Sequence, residues 1–234
     1  MKRFSLSVGS LLVCMVAANA GQLNKLIPIH LAPYAPNLTG SLTNPAWREA
    51  SVFTDFHTVL PQLGKKPSGR TSVYLMYDND NIYVGLRMDD KEPSLIKATA
   101  KTEKDVEKDD WVAICLDPSP DHQNAVYFQV SASGVQANGK FAPNGARTQT
   151  DPVAWKSVVR KGPGGWTAEM AIPFTSLALQ GKWELEEAFK VARSIARTGE
   201  QDDGPGSYPS SGPEIAQYQR IKFVAQKAGG EAGR

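Results

Sequence analysis

Two pairs of adjacent carboxylates in this sequence are of a residue type that can bind metal ions or catalyse acid–base reactions: Asp89-Asp90 and Asp109-Asp110. Carboxylate oxygens can bind Ca²⁺, and two facing carboxyl groups can carry out acid–base chemistry on a glycosidic bond. Because neighbouring residues of a strand point to opposite faces, one pair cannot deliver both carboxyls to one site. We therefore expect solvated charges that flank strands and block edge pairing. Ca²⁺ binding stays open, because both pairs are predicted at strand ends beside loops.

Histidine, serine and glycine lack the spacing that hydrolytic, metal and nucleotide sites need. The histidines, His30, His57 and His122, are far apart, and none forms a metal-binding pair. No G-x-S-x-G motif occurs, and no glycine-rich turn joins a strand to a helix as a phosphate site requires. We predict that the chain is not an enzyme and holds no cofactor.

Residues 1–20 have the features of a secretory signal: a basic start, an apolar run over 11–18 and the ending Ala18-Asn19-Ala20. The segment is too short to span a bilayer. We therefore expect a secreted or periplasmic protein. The residues before Cys14 resemble a bacterial lipobox, but Val13 stands where that signal has a small residue, so we do not expect a lipid anchor at Cys14.

Net charge excludes two classes of partner. Removal of residues 1–20 takes away two of the 26 Lys and Arg side chains and leaves 24 against 24 acidic ones. A chain without net charge lacks the basic field that nucleic acid or anionic lipid requires. Cys115 is then a single cysteine, which excludes a disulfide within the mature chain and is typical of a small apolar strand residue.

Short runs of β-branched and aromatic residues recur between Gly, Pro and Asn/Asp clusters, and this pattern predicts a mostly β chain. Residues 71–77 and 82–88 flank the turn at 78–81 and predict a hairpin. Residues 111–116, 125–131 and 135–141 predict a meander. Further strands are expected at 154–160, 165–172, 189–196 and 218–224, and short helical turns at 93–98 and 174–177.

The domain organisation follows from the same pattern. Such a supply of short strands is typical of a two-sheet sandwich. No repeat or linker divides the chain, so we predict a signal peptide over 1–20, one β-sandwich domain over 21–228 and a disordered tail over 229–234. The segment 199–212, rich in Gly, Pro and Ser, is predicted to be a long loop.

Four segments in order resemble the carbohydrate-binding modules of family nine and their relatives at the start of bacterial outer-membrane proteins. They are residues 38–47, residues 73–90 with the core Tyr-Asp-Asn-Asp-Asn-Ile-Tyr-Val-Gly-Leu, residues 109–134 and residues 165–174, followed by 189–197. The resemblance implies an all-β, antiparallel two-sheet β-sandwich of the jelly-roll or DOMON-like type. It also implies a secreted, non-catalytic module that binds a glycan and is linked to polysaccharide catabolism, with Trp47 and Trp166 as framework residues.

The resemblance also implies where a sugar binds. Saccharides are held by an aromatic ring against the apolar face of the pyranose and by planar polar groups around its edge. One aromatic position of the family falls at Tyr208 and another near Glu107, which cannot stack. Polar positions fall at Ala113, which has lost its functional group, and at Gln129.

Strand alternation adds two aromatic residues to this set. It places Trp111 on the face of Ala113, and Tyr127 on the face of Gln129. We predict a ligand-binding pocket lined by Trp111, Tyr127, Gln129 and Tyr208. Arg193, on a predicted strand, is a further candidate, although a buried salt bridge explains it equally well.

Two other functions are compatible with this fold. Some relatives hold b-type haem through a Met with a Lys or His, and Met76, Met88 and Met170 are candidate ligands here, or residues that fill a core. A structural module with an unidentified protein partner is the third reading. The sequence names neither the sugar nor a bound metal.

Overall fold

The computed structural model describes residues 26–117, 125–141, 147–177, 186–205 and 218–224. The predicted signal segment, the tail, His122 and Tyr208 lie outside the described residues. The described part forms fourteen strands: β1 (Ile27–Leu31), β2 (Ser51–Phe53), β3 (His57–Leu60), β4 (Thr71–Tyr77), β5 (Asn81–Asp89), β6 (Trp111–Asp117), β7 (Ala125–Ser131), β8 (Gln136–Phe141), β9 (Arg147–Gln149), β10 (Lys156–Gly162), β11 (Gly165–Pro173), β12 (Glu186–Ile195), β13 (Glu200–Gly204) and β14 (Gln219–Val224). Four 3₁₀ helices accompany them, at Pro45–Glu49, Pro93–Leu95, Glu103–Lys108 and Phe174–Leu177. None of these helices has the length and apolar character needed to cross a membrane.

The strands form one continuous hydrogen-bonded path, β10-β11-β5-β4-β1-β14-β12-β6-β7-β8-β9. β2 pairs with β4, and β13 lies between β12 and β3. The predicted all-β fold is confirmed, and neighbouring strands are antiparallel except at β1. That strand is parallel to both β14 and β4 and thereby joins a first half, β10-β11-β5-β4, to a second half, β14-β12-β6-β7-β8-β9. The sheet is therefore mixed rather than purely antiparallel.

One apolar core lies between the inner faces of the two halves. Alternate residues of β5 and β11 point into it, so that Leu86 lies opposite Ala168 and Met88 opposite Trp166. The second half contributes Val112, Ile114 and Leu116 of β6, and Phe189 of β12 meets Phe53 edge to face, with ring centroids 4.9 Å apart. Met88 and Met170 lie in this core, whereas Met76 lies on the outer face of β4 in a separate apolar cluster.

The outer face of the first half is covered by the segment that precedes β2. Glu169, fully buried on β11, accepts hydrogen bonds from the backbone N–H groups of Thr39 (2.5 Å), Gly40 (2.8 Å) and Leu42 (2.7 Å). Its carboxylate also accepts from Nε1 of Trp47 at 3.1 Å. These bonds hold Leu42 in the left-handed backbone region, at φ 57°, which costs a residue with a Cβ about 1 kcal/mol. Trp47 is thus a framework residue, as the resemblance implied, and so is the core residue Trp166.

The strand predictions hold where an apolar alternation exists and are wrong where it does not. The β4–β5 hairpin is as expected, with Oδ1 of Asp78 accepting from the N–H groups of Asp80 and Asn81 in the turn. The predicted loop over 199–212 begins instead with strand β13, whose sequence is Glu-Gln-Asp-Asp-Gly. β13 pairs through its backbone with β12 and β3, which needs no apolar side chains.

Candidate functional site

The outer face of the second half carries the groove in which sequence-predicted site residues meet. Strand register places Ala113 of β6 opposite Gln129 of β7, and Gln129 opposite Ala137 of β8. Tyr127 is opposite Cys115 on one side and Gly139 on the other. Small residues therefore form the floor, and the longer side chains rise from it. The groove has a volume of about 370 Å³ and is lined by Glu103, Lys104, Glu107, Tyr127, Gln129, Ala137, Arg147 and Gln149.

Arg147 is the central cation of this groove, and nothing in the sequence pattern singled it out. It lies on the edge strand β9, in which Arg147 and Gln149 point to the same face. Its guanidinium donates to Oε1 of Glu107 and to Oε1 of Gln129. The guanidinium carbon also lies 4.1 Å from the ring centroid of Tyr127, a cation–π contact. Arg147 thus ties the 3₁₀ helix at Glu103–Lys108 to β7 across the groove.

A glycine makes room for the Tyr127 ring. A Cβ at position 139 would lie 2.5 Å from Oη of Tyr127 and 2.3 Å from the carbonyl oxygen of Thr148, so a side chain there would displace one of them. The ring therefore lies across β8 beneath Arg147 and is almost fully buried, with 3% of Tyr127 exposed. In the described residues Tyr127 supports the guanidinium rather than presenting a free aromatic face to the groove.

Two polar atoms of the groove are buried without a hydrogen-bond partner among the described residues. Nε2 of Gln129 is an unused donor, because only the amide oxygen of that side chain is bonded, to Arg147. Oε1 of Glu103 is an unused acceptor in the same groove. Unpaired buried polar atoms are costly, by about 1–3 kcal/mol each. A ligand that carries both acceptor and donor groups would satisfy these two atoms.

The other predicted site residues lie elsewhere. Trp111 is on the same face but packs with Val106, Ala113 and Ala137, and only 9% of it is exposed. It therefore lies beside the groove, among apolar residues. Arg193 pairs with Val112, whose side chain points into the core, so the structure places it on the opposite face of the sheet from Trp111. Tyr208 is outside the described residues.

Arg193 is instead an internal connector between β12 and the ends of β4 and β5. It is 1% exposed and donates to the carbonyl oxygens of Gly69 (3.2 Å) and Asp89 (2.8 Å) and to Oγ1 of Thr71 (3.2 Å). Burial lowers the pKa of its guanidinium, against the opposing effect of nearby carboxylates led by Asp202. Backbone carbonyls and the Thr71 hydroxyl take up the terminal NH₂ groups of Arg193, whereas its Nε has no hydrogen-bond partner among the described residues.

The carboxylate pairs are structural, and the expectation of solvated charges is wrong for three of the four. Asp109 is fully buried and accepts from the N–H groups of Thr99 and Ala100, both at 2.7 Å. Burial acts to raise the pKa of Asp109, but these backbone hydrogen bonds outweigh it and leave the pKa lowered. Asp90 binds Arg197 through two contacts of 2.8 Å. Asp110 accepts from Ala196 N–H at 3.0 Å, and burial raises its pKa.

Among the described residues, metal-ligating side chains do not cluster and the cysteine is buried. The described part of the chain contains no group of three or more His, Cys, Asp or Glu residues arranged to hold a metal ion. Cys115 is buried beneath the groove floor, as the sequence pattern predicts, and burial raises the pKa of its thiol to about 11. A thiol with such a pKa is a poor nucleophile at neutral pH.

Comparison with known proteins gives a family and a fold. Residues 39–204 match the family model described as carbohydrate family 9 binding domain-like. A family 9 carbohydrate-binding module from Caldicellulosiruptor kristjanssonii in complex with cellotriose superposes with a TM-score of 0.63 at 14% identity, covering 87% of this chain and 96% of that one. The structure of such a module from the same organism with glucose gives a TM-score of 0.59 at 14% identity, covering 87% and 99%.

A third structure extends this likeness to another organism. A putative carbohydrate-binding protein from Bacteroides uniformis gives a TM-score of 0.65 at 12% identity, covering 85% of this chain and 97% of that one. At such identities the likeness concerns the fold. No protein of curated function matches the chain.

Proposed function

Because the chain belongs to the carbohydrate family 9 binding domain-like family, one of non-catalytic carbohydrate-binding modules, we propose that it binds a saccharide in the groove formed by the outer face of β6–β9. The observation that carries this proposal is that one cavity is lined by Gln129, with an unused donor, and by Glu103, with an unused acceptor. A sugar hydroxyl donates and accepts at once, and a pyranose presents several hydroxyls along its edge. Such a ligand satisfies both atoms together.

The groove offers polar contacts rather than a described aromatic platform. Gln129, Gln149 and Arg147 present planar amide and guanidinium groups, which suit the edge of a sugar ring. The ring of Tyr127 is already covered by Arg147. We therefore assign the stacking role to Tyr208, which the family resemblance places at the site, and a supporting role to Trp111 at the groove's flank.

Neutral glucans are the first ligands to test, because the similar modules from C. kristjanssonii were solved with cellotriose and with glucose. Calorimetry of the chain with both sugars and a panel of polysaccharides gives the reference affinity. Gln129→Leu keeps the side-chain bulk but removes the buried donor, and Arg147→Ala removes the guanidinium. Each loses at least one hydrogen bond to ligand, so we expect about a tenfold weaker affinity, or about 1.4 kcal/mol.

Two further variants complete this experiment. Tyr208→Ala removes the proposed platform and is expected to weaken binding by a similar factor, since aromatic contacts contribute about 1 kcal/mol beyond their buried area. Arg48→Ala is the matched control, because Arg48 is exposed on the 3₁₀ helix Pro45–Glu49, away from the groove. Unchanged affinity in both Gln129→Leu and Arg147→Ala, with all variants folded, would contradict the proposed site.

The N-terminal segment carries a second part of the proposal. The basic start, apolar run and Ala-Asn-Ala ending of residues 1–20 support a secreted or periplasmic protein. The carbohydrate-binding family supports a role in polysaccharide catabolism. Export followed by cleavage after Ala20 would leave Gly21 as the first residue. N-terminal sequencing of the exported protein tests this, and an intact Met1 on exported protein would contradict it.

A further inference from the structure

One end of the first half concentrates positive charge that the groove does not use. Six exposed cationic side chains lie at or near the ends of β4, β5, β10 and β11, and together they are called here the basic end: Lys66, Arg70, Arg87, Lys91, Arg160 and Lys161. None of the six has an ion pair or a side-chain hydrogen bond with any described residue. Other arginines of the described part, such as Arg147 and Arg197, are bonded to carboxylates.

Two cavities open among these cations. The larger one, of about 580 Å³, is lined by Lys66, Arg70 and Lys91, and no carboxylate lines it. The smaller one, of about 250 Å³, is lined by Arg87, Arg160 and Lys161, with Asp89 as its one carboxylate. The larger volume lies in the range that holds small ligands.

The two cavities flank one backbone junction. The N–H of Asp89 donates to the carbonyl of Arg70 at 2.8 Å, and the N–H of Asp90 donates to the carbonyl of Gly164 at 2.9 Å. From beneath, Arg193 bonds the carbonyls of Gly69 and Asp89. The junction between the two cavities is therefore fixed by hydrogen bonds on both sides.

Apart from Asp89, which lines the smaller cavity, the carboxylates nearest the basic end are already engaged. Asp90 binds Arg197, and Oε2 of Glu92 lies 3.7 Å from Nε of the same arginine. Glu200 accepts from the N–H of Ser68 at 2.8 Å and from its hydroxyl at 2.7 Å. Asp89 is thus one carboxylate among six cations, so most of the positive charge of the basic end has no partner among the described residues, and an external anion can supply one.

The lining of the larger cavity indicates the kind of anion. Phe56 and Pro67 give it an apolar side, and the exposed Thr54 gives it a hydroxyl that can hydrogen-bond a ligand. An apolar face with hydroxyl-bearing edges suits a sugar ring, and the cations suit a charged substituent on that ring. Cations in two cavities on either side of one backbone junction suit a ligand that repeats its charge, rather than one small ion.

We infer that the basic end is a second binding surface, for an acidic polysaccharide whose repeating sugar units carry carboxylates. The surface is separate from the β6–β9 groove and does not depend on the ligand proposed there. A local cluster of this kind acts at short range, since charges on an otherwise balanced chain are screened beyond about 10 Å at 0.1 M salt.

Affinity electrophoresis and calorimetry of the full chain with polygalacturonate test this inference. The triple variant Lys66→Ala/Arg70→Ala/Lys91→Ala removes the cations of the larger cavity without removing a bonded side chain. Its matched control, Arg48→Ala/Lys101→Ala/Lys222→Ala, removes the same charge from exposed positions elsewhere. We expect the first variant to bind at least tenfold more weakly, the control to stay within twofold of the parent chain, and 0.5 M NaCl to weaken binding of the parent strongly.

The inference is overturned if the parent chain does not bind polygalacturonate, or if the two triple variants lose equal affinity. It is also overturned if the chain binds a neutral polysaccharide and that binding falls with the cavity variant. Duplex DNA and phosphatidylserine vesicles serve as other polyanions, and binding of either as tightly as polygalacturonate would refute the assignment to a saccharide. Failure of neutral-sugar binding in the groove would leave all these readouts unchanged.

Discussion

Replacement of Glu169 by Gln tests how the first half of the sheet holds its outer covering. The carboxylate accepts four hydrogen bonds, and Oε2 receives two backbone N–H groups, those of Thr39 and Gly40. Gln is nearly isosteric and can still offer one oxygen to Leu42 N–H and the Trp47 indole. Its amide N–H₂ then faces the two donors that Oε2 had satisfied, so both lose their partner.

The cost follows from these two donors and the lost charge. An unpaired buried donor costs about 1–3 kcal/mol, which predicts a loss of about 3 kcal/mol in the free energy of unfolding for Glu169→Gln. For a chain of this size that corresponds to a fall of about 6–12 °C in Tm. Urea unfolding followed by tryptophan fluorescence measures the free energy, with thermal melting as a second readout.

A neighbouring glutamate provides the control for this experiment. Glu49 is exposed on the 3₁₀ helix next to Trp47, and Glu49→Gln is expected to change stability by less than about 0.5 kcal/mol. An unfolding free energy of Glu169→Gln within 0.5 kcal/mol of the parent chain would refute the view that this carboxylate anchors the segment before β2.

Three further predictions concern buried groups. Burial, with the nearby charge of Asp117, raises the pKa of Glu187 to about 8, so the folded state holds a proton that the unfolded state releases above pH 4.5. The stability conferred by that proton is complete below pH 4.5 and is lost as the pH rises to 8, by about 1.4 kcal/mol per pH unit. In urea titrations at several pH values, Glu187→Gln is expected to flatten this decline. Equal pH profiles of the variant and the parent chain would contradict the prediction. Arg193→Met leaves backbone carbonyls such as that of Asp89 without their donor and should lower the free energy of unfolding by about 2–4 kcal/mol. Arg193→Lys is not expected to restore stability, because one ammonium cannot reach all four acceptors. Full stability of the Lys variant would count against this role. In the folded protein, Cys115 should stay unmodified after an hour with a thiol reagent at pH 8, and it should react once urea unfolds the chain. Peptide mapping by mass spectrometry measures the modification. Rapid labelling of the folded protein would disprove the burial of Cys115.

The sequence predicts those strands in which the backbone-paired segment also alternates apolar and polar side chains. The β4–β5 hairpin and the β6–β8 meander alternate apolar residues with a clear period, and turn residues separate them. β9 and β13 carry polar side chains throughout and pair through their backbones, so no hydrophobic period marks them. The parallel pairing of β1 joins residues almost 200 positions apart in the chain, and local patterns do not encode it.

Part of the candidate site was also predictable from the alternation of side chains along its strands. Alternation along β6 and β7 correctly puts Trp111, Tyr127 and Gln129 on one face, as the register of the two strands shows. No sequence pattern indicates Arg147, because it lies on a three-residue strand without apolar neighbours. The charge of Asp109 and Asp90 predicts exposure, whereas backbone N–H groups and Arg197 compensate for their burial.

Mapping of a bound neutral sugar by NMR tests the central proposal most directly. In ¹H–¹⁵N spectra titrated with cellotriose, we predict that the largest shifts fall on the side-chain amide of Gln129 and on the backbone amides of Tyr127, Arg147 and Gln149. The Gln129 amide should move most, because its Nε2 has no partner among the described residues before the sugar arrives. Shifts confined to the first half of the sheet, or saturable binding that leaves the Gln129 amide unmoved, would contradict the groove as the saccharide site.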